Sequence, residues 1–243
     1  MVRQRTPEGP PPPPPVQKLR IRYAKRGRLR FSSTRDFSRA IERALRRARV
    51  PMAFSAGFHP HPKISYANGA PTGAASEAEY FEISVTERVD PDALGRALDA
   101  ALPDGLDIVS VVEAQPGALA DRLQASRWLL EFPGVELADL DRAVEGFLAQ
   151  ERVEVSRMFK KGMKSYDARE PVIRAETGLS DEGCAILTMV VRHTTPAVRP
   201  DDVLSAITAA TSFAPPRSPK ATRLAQGIWS SETESVADPL ATD

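Results

Sequence analysis

Two apolar periodicities alternate along the first half of this chain, and they constrain its fold more than any other feature. In residues 18–23 the side chains of Leu19, Ile21 and Tyr23 fall on one side of an extended segment, which predicts a half-buried strand. Residues 37–48 instead repeat their apolar positions every three to four residues, which predicts an amphipathic helix. A strand therefore precedes a helix here.

The alternation of periods continues through the first half. Residues 79–86 and 106–112 again have strand character, and Asp90-Pro91 predicts the start of a second helix. Residues 29–31 are predicted to return as a short strand, and residues 68–78 to form a loop. With one more strand before residue 79, the order is β-α-β-β-α-β, that of a ferredoxin-like unit.

The second half repeats this order without repeating the sequence. Its predicted elements are strand 127–132, helix 137–150, strand 153–159, hairpin 171–176 with 184–192, a helix from Pro200 and strand 221–228. The predicted fold class is α+β, with two tandem ferredoxin-like (βαββαβ) units that have antiparallel sheets, at residues 16–115 and 126–229.

Both termini differ in composition from these halves. Residues 1–15 include six consecutive prolines, which predicts a disordered Pro-rich arm, and residues 230–243 predict a disordered acidic tail. A single cysteine, Cys184, excludes an intramolecular disulfide. Neither a secretory signal nor an apolar run of roughly 18 residues is present, which favours a cytoplasmic protein without a membrane segment.

Charge is strongly segregated despite a net charge of only +1. Residues 16–50 contain 13 Lys and Arg but two acids, a local net charge of +11 that indicates a polyanionic partner, most often nucleic acid. A solvated helix face is the alternative interpretation. The predicted phosphate contacts are Arg20, Arg22, Arg28, Arg30, Arg35, Arg39 and Arg46.

Two of the three histidines lie in the segment 54–68. His59 and His61 each precede a proline, which favours an extended backbone with both imidazoles pointing the same way. Such a pair could act as acid and base, contact a phosphate, or form half of a metal site. The spacing selects no third ligand, so no metal site is predicted. His59 and His61 remain catalytic candidates; the favoured role is contact with RNA, together with Phe58 and Lys63.

A second basic segment, residues 157–169, interleaves cations with aromatic rings. Cations neutralise phosphates and aromatic rings stack on bases, so this predicted loop is a candidate RNA contact. A flexible basic loop is the alternative, with Asp167 capping a turn or pairing with Arg169. The candidate contacts are Arg157, Lys160, Lys161, Lys164, Tyr166 and Arg169.

Three stretches of sequence together resemble a known family. They are Lys-Leu-Arg-Ile-Arg-Tyr from residue 18, Gly-Phe-His-Pro-His-Pro-Lys from residue 57, and Lys-Lys-Gly-Met-Lys-Ser-Tyr-Asp-Ala-Arg from residue 160. The chain resembles, over about residues 16–225, the radical-SAM-linked bacterial domain of unknown function. That family occurs alone, or fused to or encoded beside a radical SAM protein with a cobalamin-type domain, often near ribonuclease E/G genes. It has no established reaction or catalytic residues.

The resemblance implies a radical SAM partner that carries the iron–sulfur cluster and binds S-adenosylmethionine. This chain has no Cys-x-x-x-Cys-x-x-Cys motif and no Walker A, Gly-x-Gly-x-x-Gly or His-Glu-x-x-His motif, so no cofactor is expected on it. The leading expectation is a non-catalytic RNA-binding accessory module, with tRNA or rRNA as the RNA, acting in RNA modification or processing. A metal-independent endoribonuclease and a protein–protein adaptor are the alternatives.

Overall fold

The structure, a computed structural model, describes residues 12–241. These residues form two compact units, one of residues 12–72 and 78–117 and one of residues 73–77 and 118–241. Four α-helices and eleven mainly antiparallel strands are present within the described residues, which confirms the α+β class. Residues 1–11 of the predicted Pro-rich arm and residues 242–243 of the predicted tail lie outside the described residues.

The first unit alternates strands and helices in the predicted order. Its elements are β1 (Gln17–Lys25), α1 (Thr34–Arg47), β2 (Ile64–Ala67), β3 (Ala75–Val85), α2 (Pro91–Asp99) and β4 (Leu106–Glu113). The strand order is β4-β1-β3-β2, and residues 75–77 at the start of β3 belong to the second unit. β1 pairs antiparallel with β4, and β2 pairs antiparallel with β3.

Local capping and apolar spacing explain the helices of this unit. The Ser33 hydroxyl accepts from the Asp36 backbone N–H at 3.2 Å, and the Asp90 carboxylate accepts from Ala93 N–H at 2.7 Å, so each helix begins where a side chain satisfies a free N–H. The buried stripe of α1 packs on the apolar face of the sheet. That core includes Leu19, Ile21, Tyr23, Phe37, Ile41, Leu45, Phe81 and Ile83.

Two local predictions in the first unit were wrong. Gly27–Phe31 forms a 3-10 helix instead of a short returning strand, and Gly27 enters it with φ +54°. β3 begins at Ala75, four residues before the predicted strand, so the predicted 68–78 loop is shorter. The hydrogen bonds of the 3-10 helix are local, whereas the early start of β3 follows from pairing of residues 75 and 76 with β10.

The second unit contains the same order of elements with one insertion. Its elements are β5 (Ala125–Phe132), α3 (Leu137–Leu148), β6 (Glu154–Phe159), β7 (Gly162–Asp167), β8 (Val172–Leu179), β9 (Ala185–Arg192), α4 (Pro200–Thr211), β10 (Lys220–Ser230) and β11 (Ser235–Ala237). The main strand order is β10-β5-β9-β8, whereas β6 and β7 pair only with each other. Residues 75 and 76 pair in parallel with residues 222 and 223 of β10. α3 packs against α4, β8 and β9.

The structure corrects two further expectations in this unit. The predicted 157–169 loop is largely a β-hairpin, because β6 continues through a tight turn at 160–161 into β7. Part of the predicted disordered tail is a strand: β11 pairs with Ile228–Ser230 of β10, and Leu240 is buried. Within residues 12–241 no helix has both the length and the apolar character required to cross a membrane.

Candidate nucleic-acid interface

The His-Pro segment forms a closed loop in the first unit. A backbone bridge joins Phe54 to Pro62, and the Ser55 N–H donates to the His61 carbonyl at 2.8 Å. The chain bends through residues 56–59, so His59 lies in the bend and His61 beyond it, and the parallel orientation of the two imidazoles stays a prediction. His59, His61 and Lys63 are exposed, and the Phe58 ring is 60% exposed at the bend.

Most predicted arginine contacts of the first unit lie on accessible surface. The side chains of Arg35, Arg39 and Arg46 are exposed on α1, opposite its buried stripe. Arg28 is exposed on the 3-10 helix, whereas Arg30 and Arg22 are half-buried. The Arg30 guanidinium lies 4.6 Å from the centroid of the exposed Phe31 ring, a cation–π contact. Five separate side chains of this set therefore remain accessible or partly accessible on one helix and the turn before it.

Arg20 does not belong to this surface. Its side chain is 1% exposed, its Nε lies 2.9 Å from Glu82 Oε1, and its Nη2 donates to the Gly117 carbonyl at 2.7 Å. A guanidinium whose donors are used inside the protein cannot bind a phosphate without breaking a buried ion pair. The prediction of Arg20 as a phosphate contact was wrong.

The β6–β7 hairpin presents cations and aromatic rings on one face. The register pairs Arg157 with Lys164, and alternation places Phe159 and Tyr166 on the same face. The two rings meet edge to face at 6.3 Å between centroids. The Lys164 ammonium lies 5.7 Å from the Phe159 ring centroid and the Arg157 guanidinium 4.8 Å from it. One cation from each strand, Arg157 from β6 and Lys164 from β7, therefore lies against the Phe159 ring.

The opposite face and the tip of the hairpin are more accessible than the ring-bearing face, on which Val155 is buried. Met158 and Met163 are cross-strand partners, and both side chains are exposed. Lys160 and Lys161 occupy the turn with both side chains in solvent. A two-stranded ribbon with a cationic tip, exposed thioethers and half-exposed rings can contact both the phosphates and the base faces of a nucleic acid.

Two predicted contacts in this segment have structural roles instead. Arg157 pairs with Asp202 of α4 and donates to the Ala197 carbonyl at 3.0 Å. Arg169 donates to the Leu148 carbonyl at the end of α3 and to the Val172 carbonyl at 3.1 Å. Arg157 therefore fixes the base of the hairpin, and Arg169 satisfies a free helix carbonyl. The prediction of Arg169 as an RNA contact was wrong for this reason.

Asp167 has the structural role that the sequence suggested as an alternative. Its Oδ1 accepts from the Val153 N–H at 3.0 Å and from the Arg169 N–H at 2.9 Å. It caps the turn that follows β7 and does not form an ion pair with Arg169. The predicted set of this hairpin is thereby reduced to Lys160, Lys161, Lys164 and Tyr166, with Arg157 as support.

Sequence reasoning missed a polar cluster around His193 in the second unit. Its Nε2 lies 2.7 Å from the Ser126 hydroxyl and its Nδ1 2.7 Å from the Leu123 carbonyl. Burial lowers the pKa of His193; the Leu123 carbonyl opposes this shift, and the charge of Arg223 adds to it. Ser126 is buried, so the Ser–His contact belongs to the core of the unit. No sequence spacing marks it, because residues 126 and 193 meet only through β5–β9 pairing.

Metal ligation has no candidate among the described residues. Across residues 12–241 no three His, Cys, Asp or Glu side chains converge as metal ligands would. The His59–His61 loop is bent and exposed, without a converging carboxylate within that range.

Solved structures with some likeness to this chain include DyPB from Rhodococcus jostii RHA1, at 12% identity over 88% of this chain and 92% of that chain, with a TM-score of 0.22. The encapsulated DyP-type peroxidase from Mycobacterium smegmatis is 10% identical over 90% of this chain and 94% of that chain, with a TM-score of 0.20. Likeness at this level supports no argument about fold or function. Comparison with curated proteins finds no match. The model of a family described as an uncharacterized protein conserved in bacteria (DUF2344) matches residues 18–200, and this chain belongs to that family.

Proposed function

We propose that this protein is an RNA-binding accessory module that presents tRNA or rRNA to a radical SAM enzyme with a cobalamin-type domain. The observation that carries the proposal is the β6–β7 hairpin, where Lys160, Lys161 and Lys164 accompany the Phe159 and Tyr166 rings. Lysines neutralise phosphates and half-exposed rings stack on unpaired bases, which are complementary requirements of RNA binding.

The basic surface of the first unit supports the same proposal. Arg35, Arg39 and Arg46 project from one helix with no ion-pair partner identified for them in the described chain, and Lys63 and Phe58 lie on the exposed His-Pro loop. Guanidinium groups can bind phosphates with two parallel hydrogen bonds, which gives geometric fit as well as charge.

The architecture is also consistent with the proposal. The strand orders β4-β1-β3-β2 and β10-β5-β9-β8 each place the first and third strands of the βαββαβ pattern between the second and the fourth. We assign both units to the ferredoxin-like type on this basis, with β6–β7 as an insertion in the second. Many RNA-binding domains share this fold, which is support by analogy alone.

Salt-dependent binding tests the proposal. Purified protein is titrated with bacterial tRNA and with rRNA fragments at several KCl concentrations. Each phosphate neutralised adds about 0.7 to 0.9 to the slope of log affinity against log salt, so a variant with Lys160, Lys161 and Lys164 changed to Ala loses roughly two units of slope. Affinity that is weak and independent of salt in the wild type overturns the proposal.

A matched control distinguishes binding through the hairpin from an effect of the protein's net charge. Arg88, Arg96 and Arg217 are exposed cations outside both candidate surfaces. Changing these three to Ala removes the same charge and is expected to leave the salt slope nearly unchanged. An equal loss in both triple variants contradicts a role for the hairpin, because the binding would then follow net charge alone.

The partner is tested by copurification. A tagged form of this protein is isolated from bacteria that encode it beside a radical SAM enzyme, with and without ribonuclease treatment. The proposal expects the enzyme, with its iron–sulfur cluster and S-adenosylmethionine, to be recovered with this chain. Recovery that survives ribonuclease indicates direct contact, and consistent failure to recover the enzyme contradicts the partnership. RNA that is cut by the purified protein, but left intact by His59→Ala or His61→Ala, would instead establish a nuclease.

A further inference from the structure

A cavity of about 220 Å³ lies in the first unit where α1 begins. We name it the α1 cavity; its walls include Tyr23 from β1, Phe37 from α1 and Tyr66 from β2, and its edge includes Ser32. Pockets for drug-sized molecules occupy about 300–1,000 Å³, so this cavity has room for one ring system and not for a large cofactor.

Aromatic side chains form one wall of the α1 cavity. The Tyr23 and Phe37 rings are stacked, with centroids 4.4 Å apart and planes within 9° of each other. Tyr66 meets Phe37 edge to face at 5.6 Å. Rings packed against each other in this way keep their positions without a ligand. A planar ligand therefore gains contact area there at little cost in side-chain entropy.

Buried polar groups form another wall. Lys25 is 5% exposed and Glu79 is 2% exposed, and both line the cavity. The Lys25 ammonium donates to the Ala70 and Pro71 carbonyls at 3.3 and 3.4 Å, and Glu79 Oε2 accepts from the Ala70 N–H at 2.9 Å. These bonds fix residues 70 and 71 beside the cavity. Ionisable groups held in fixed positions beside aromatic walls are typical of a site that orients a small ligand.

One buried polar atom of the cavity wall, and one that lies two residues before Ser32 in the chain, have no hydrogen-bond partner within the described chain. They are the Tyr66 hydroxyl and Arg30 Nε. The Ser38 hydroxyl lies near Tyr66 and donates to the Thr34 carbonyl at 2.9 Å, but it does not meet hydrogen-bond geometry with the Tyr66 hydroxyl. Native proteins rarely leave such groups unsatisfied, so the Tyr66 hydroxyl on the cavity wall points to a ligand with polar atoms.

Phosphate-binding and stacking groups flank the cavity residues Ser32 to Thr34 in the chain. Arg30 and Phe31 immediately precede Ser32 in the chain, and the Phe31 ring is 59% exposed with the Arg30 guanidinium 4.6 Å from its centroid. Arg35 is exposed on the first turn of α1. An exposed ring beside a cavity can stack on the neighbouring base, and the arginines can bind the adjoining phosphates.

We infer that the α1 cavity binds one unpaired nucleobase, with Arg30 and Phe31 contacting the nucleotide beside it. The inference rests on the proposed RNA-binding function for the source of that base. A base extruded from a loop combines a planar ring with a polar edge, which matches the braced rings and the Lys25, Glu79 and Tyr66 groups. A free nucleotide has the same chemistry, and the experiment separates the two sources.

The experiment fills the cavity without changing its charge. Ser32 lines the cavity edge, and Ser32→Trp places an indole there; Ser32→Ala is the matched control that leaves it open. Full-length proteins are compared for binding to an RNA hairpin with an unpaired loop and to a fully paired duplex of equal length. Ser32→Trp is expected to weaken hairpin binding about tenfold, as for the loss of one stacked base, and to leave duplex binding unchanged.

A second variant covers the case in which Ser32→Trp fails to fold. Tyr66→Phe removes only the hydroxyl that lacks a partner and keeps the ring. It is expected to weaken hairpin binding several-fold with no change in duplex binding. Unchanged hairpin affinity in Tyr66→Phe and in folded Ser32→Trp, with the wild type binding RNA, overturns the inference and leaves the proposed function standing.

The mononucleotides AMP, GMP, CMP and UMP form the third arm. If the wild type binds a mononucleotide but no RNA, and the cavity variants lose that binding, the nucleobase site stands and the proposed RNA function falls. If the wild type binds neither RNA nor any mononucleotide, the inference is overturned together with the proposed function. The two ideas therefore fail in distinguishable ways.

Discussion

Arg20 and Glu82 form an almost fully buried ion pair across the adjacent strands β1 and β3, with Arg20 Nε 2.9 Å from Glu82 Oε1. Lys18 shares the same carboxylate, with its Nζ 2.7 Å from Oε2. One buried acid thus compensates two of the cations that give this segment its excess charge. The basic segment is divided between structural cations on β1 and accessible cations on α1.

Removing that acid is expected to destabilise the first unit. Glu82→Gln leaves the Arg20 guanidinium buried without a counter-charge, and the free energy of unfolding should fall by about 3 kcal/mol or more. Urea denaturation followed by circular dichroism measures the change. The control is Glu154→Gln, whose partner Arg152 lies on the surface, with an expected change below about 1 kcal/mol. Similar losses in both variants would contradict the assignment.

Arg157 is expected to control the opening of the β6–β7 hairpin. Its ion pair with Asp202 and its bond to the Ala197 carbonyl attach the hairpin to the rest of the second unit. Arg157→Gln should therefore speed amide hydrogen exchange in Glu154–Asp167 about tenfold or more, with little change in β5 and β9. Lys164→Gln, on the same face without an ion-pair partner identified for it, is the control. If the hairpin amides of Arg157→Gln exchange as slowly as those of the wild type, the attachment lies elsewhere.

Gly227 is expected to be essential for docking of the C-terminal strand. A Cβ atom at this position would lie 1.9 Å from the Ala237 carbonyl oxygen, a distance that no side chain tolerates. Gly227→Ala should release Ser235–Ala237 from β10, seen as faster amide exchange there, at a cost of about 1–3 kcal/mol. Gly178→Ala is the control, because its Cβ would meet only Ile186 at 3.9 Å. Undisturbed exchange in β11 would refute the prediction.

His193 is expected to make the second unit sensitive to acid. Because burial lowers its pKa in the folded state, the unfolded chain binds a proton more readily. The stability contributed by the neutral imidazole is present above about pH 6.5 and is lost as pH falls through the folded-state pKa. Unfolding free energies measured between about pH 8 and pH 5 should show this decline, and His193→Asn should reduce its slope. A slope unchanged in that variant would assign the decline to other groups.

Local pattern was sufficient for most elements of the fold. The alternation of Leu19, Ile21 and Tyr23 and the apolar repeat of residues 37–48 depend on neighbours in sequence, and both elements lie within three residues of their predicted bounds. The 3-10 helix at Gly27–Phe31 was not recognised in its weak periodicity, and the early start of β3 depends on pairing with β10. Strand bounds with weak periodicity are decided by such pairing.

Some residues of the candidate site could likewise be predicted from the sequence, and others could not. Sequence identified the accessible cations of α1 and of the hairpin, since their spacing places them opposite a buried stripe or in a turn. It could not separate Arg20 and Arg169 from them, because their partners Glu82 and Leu148 are 62 and 21 residues away.

By itself, the sequence determined the α+β class, most of the helices and strands and the concentration of positive charge, because periodicity and composition are local properties. Only the tertiary structure decided which cations are buried, that residues 157–167 form a hairpin, and that an aromatic cavity with buried Lys25 and Glu79 lies beside α1. The physical reason is that burial and pairing depend on strand register, which joins residues far apart in the chain.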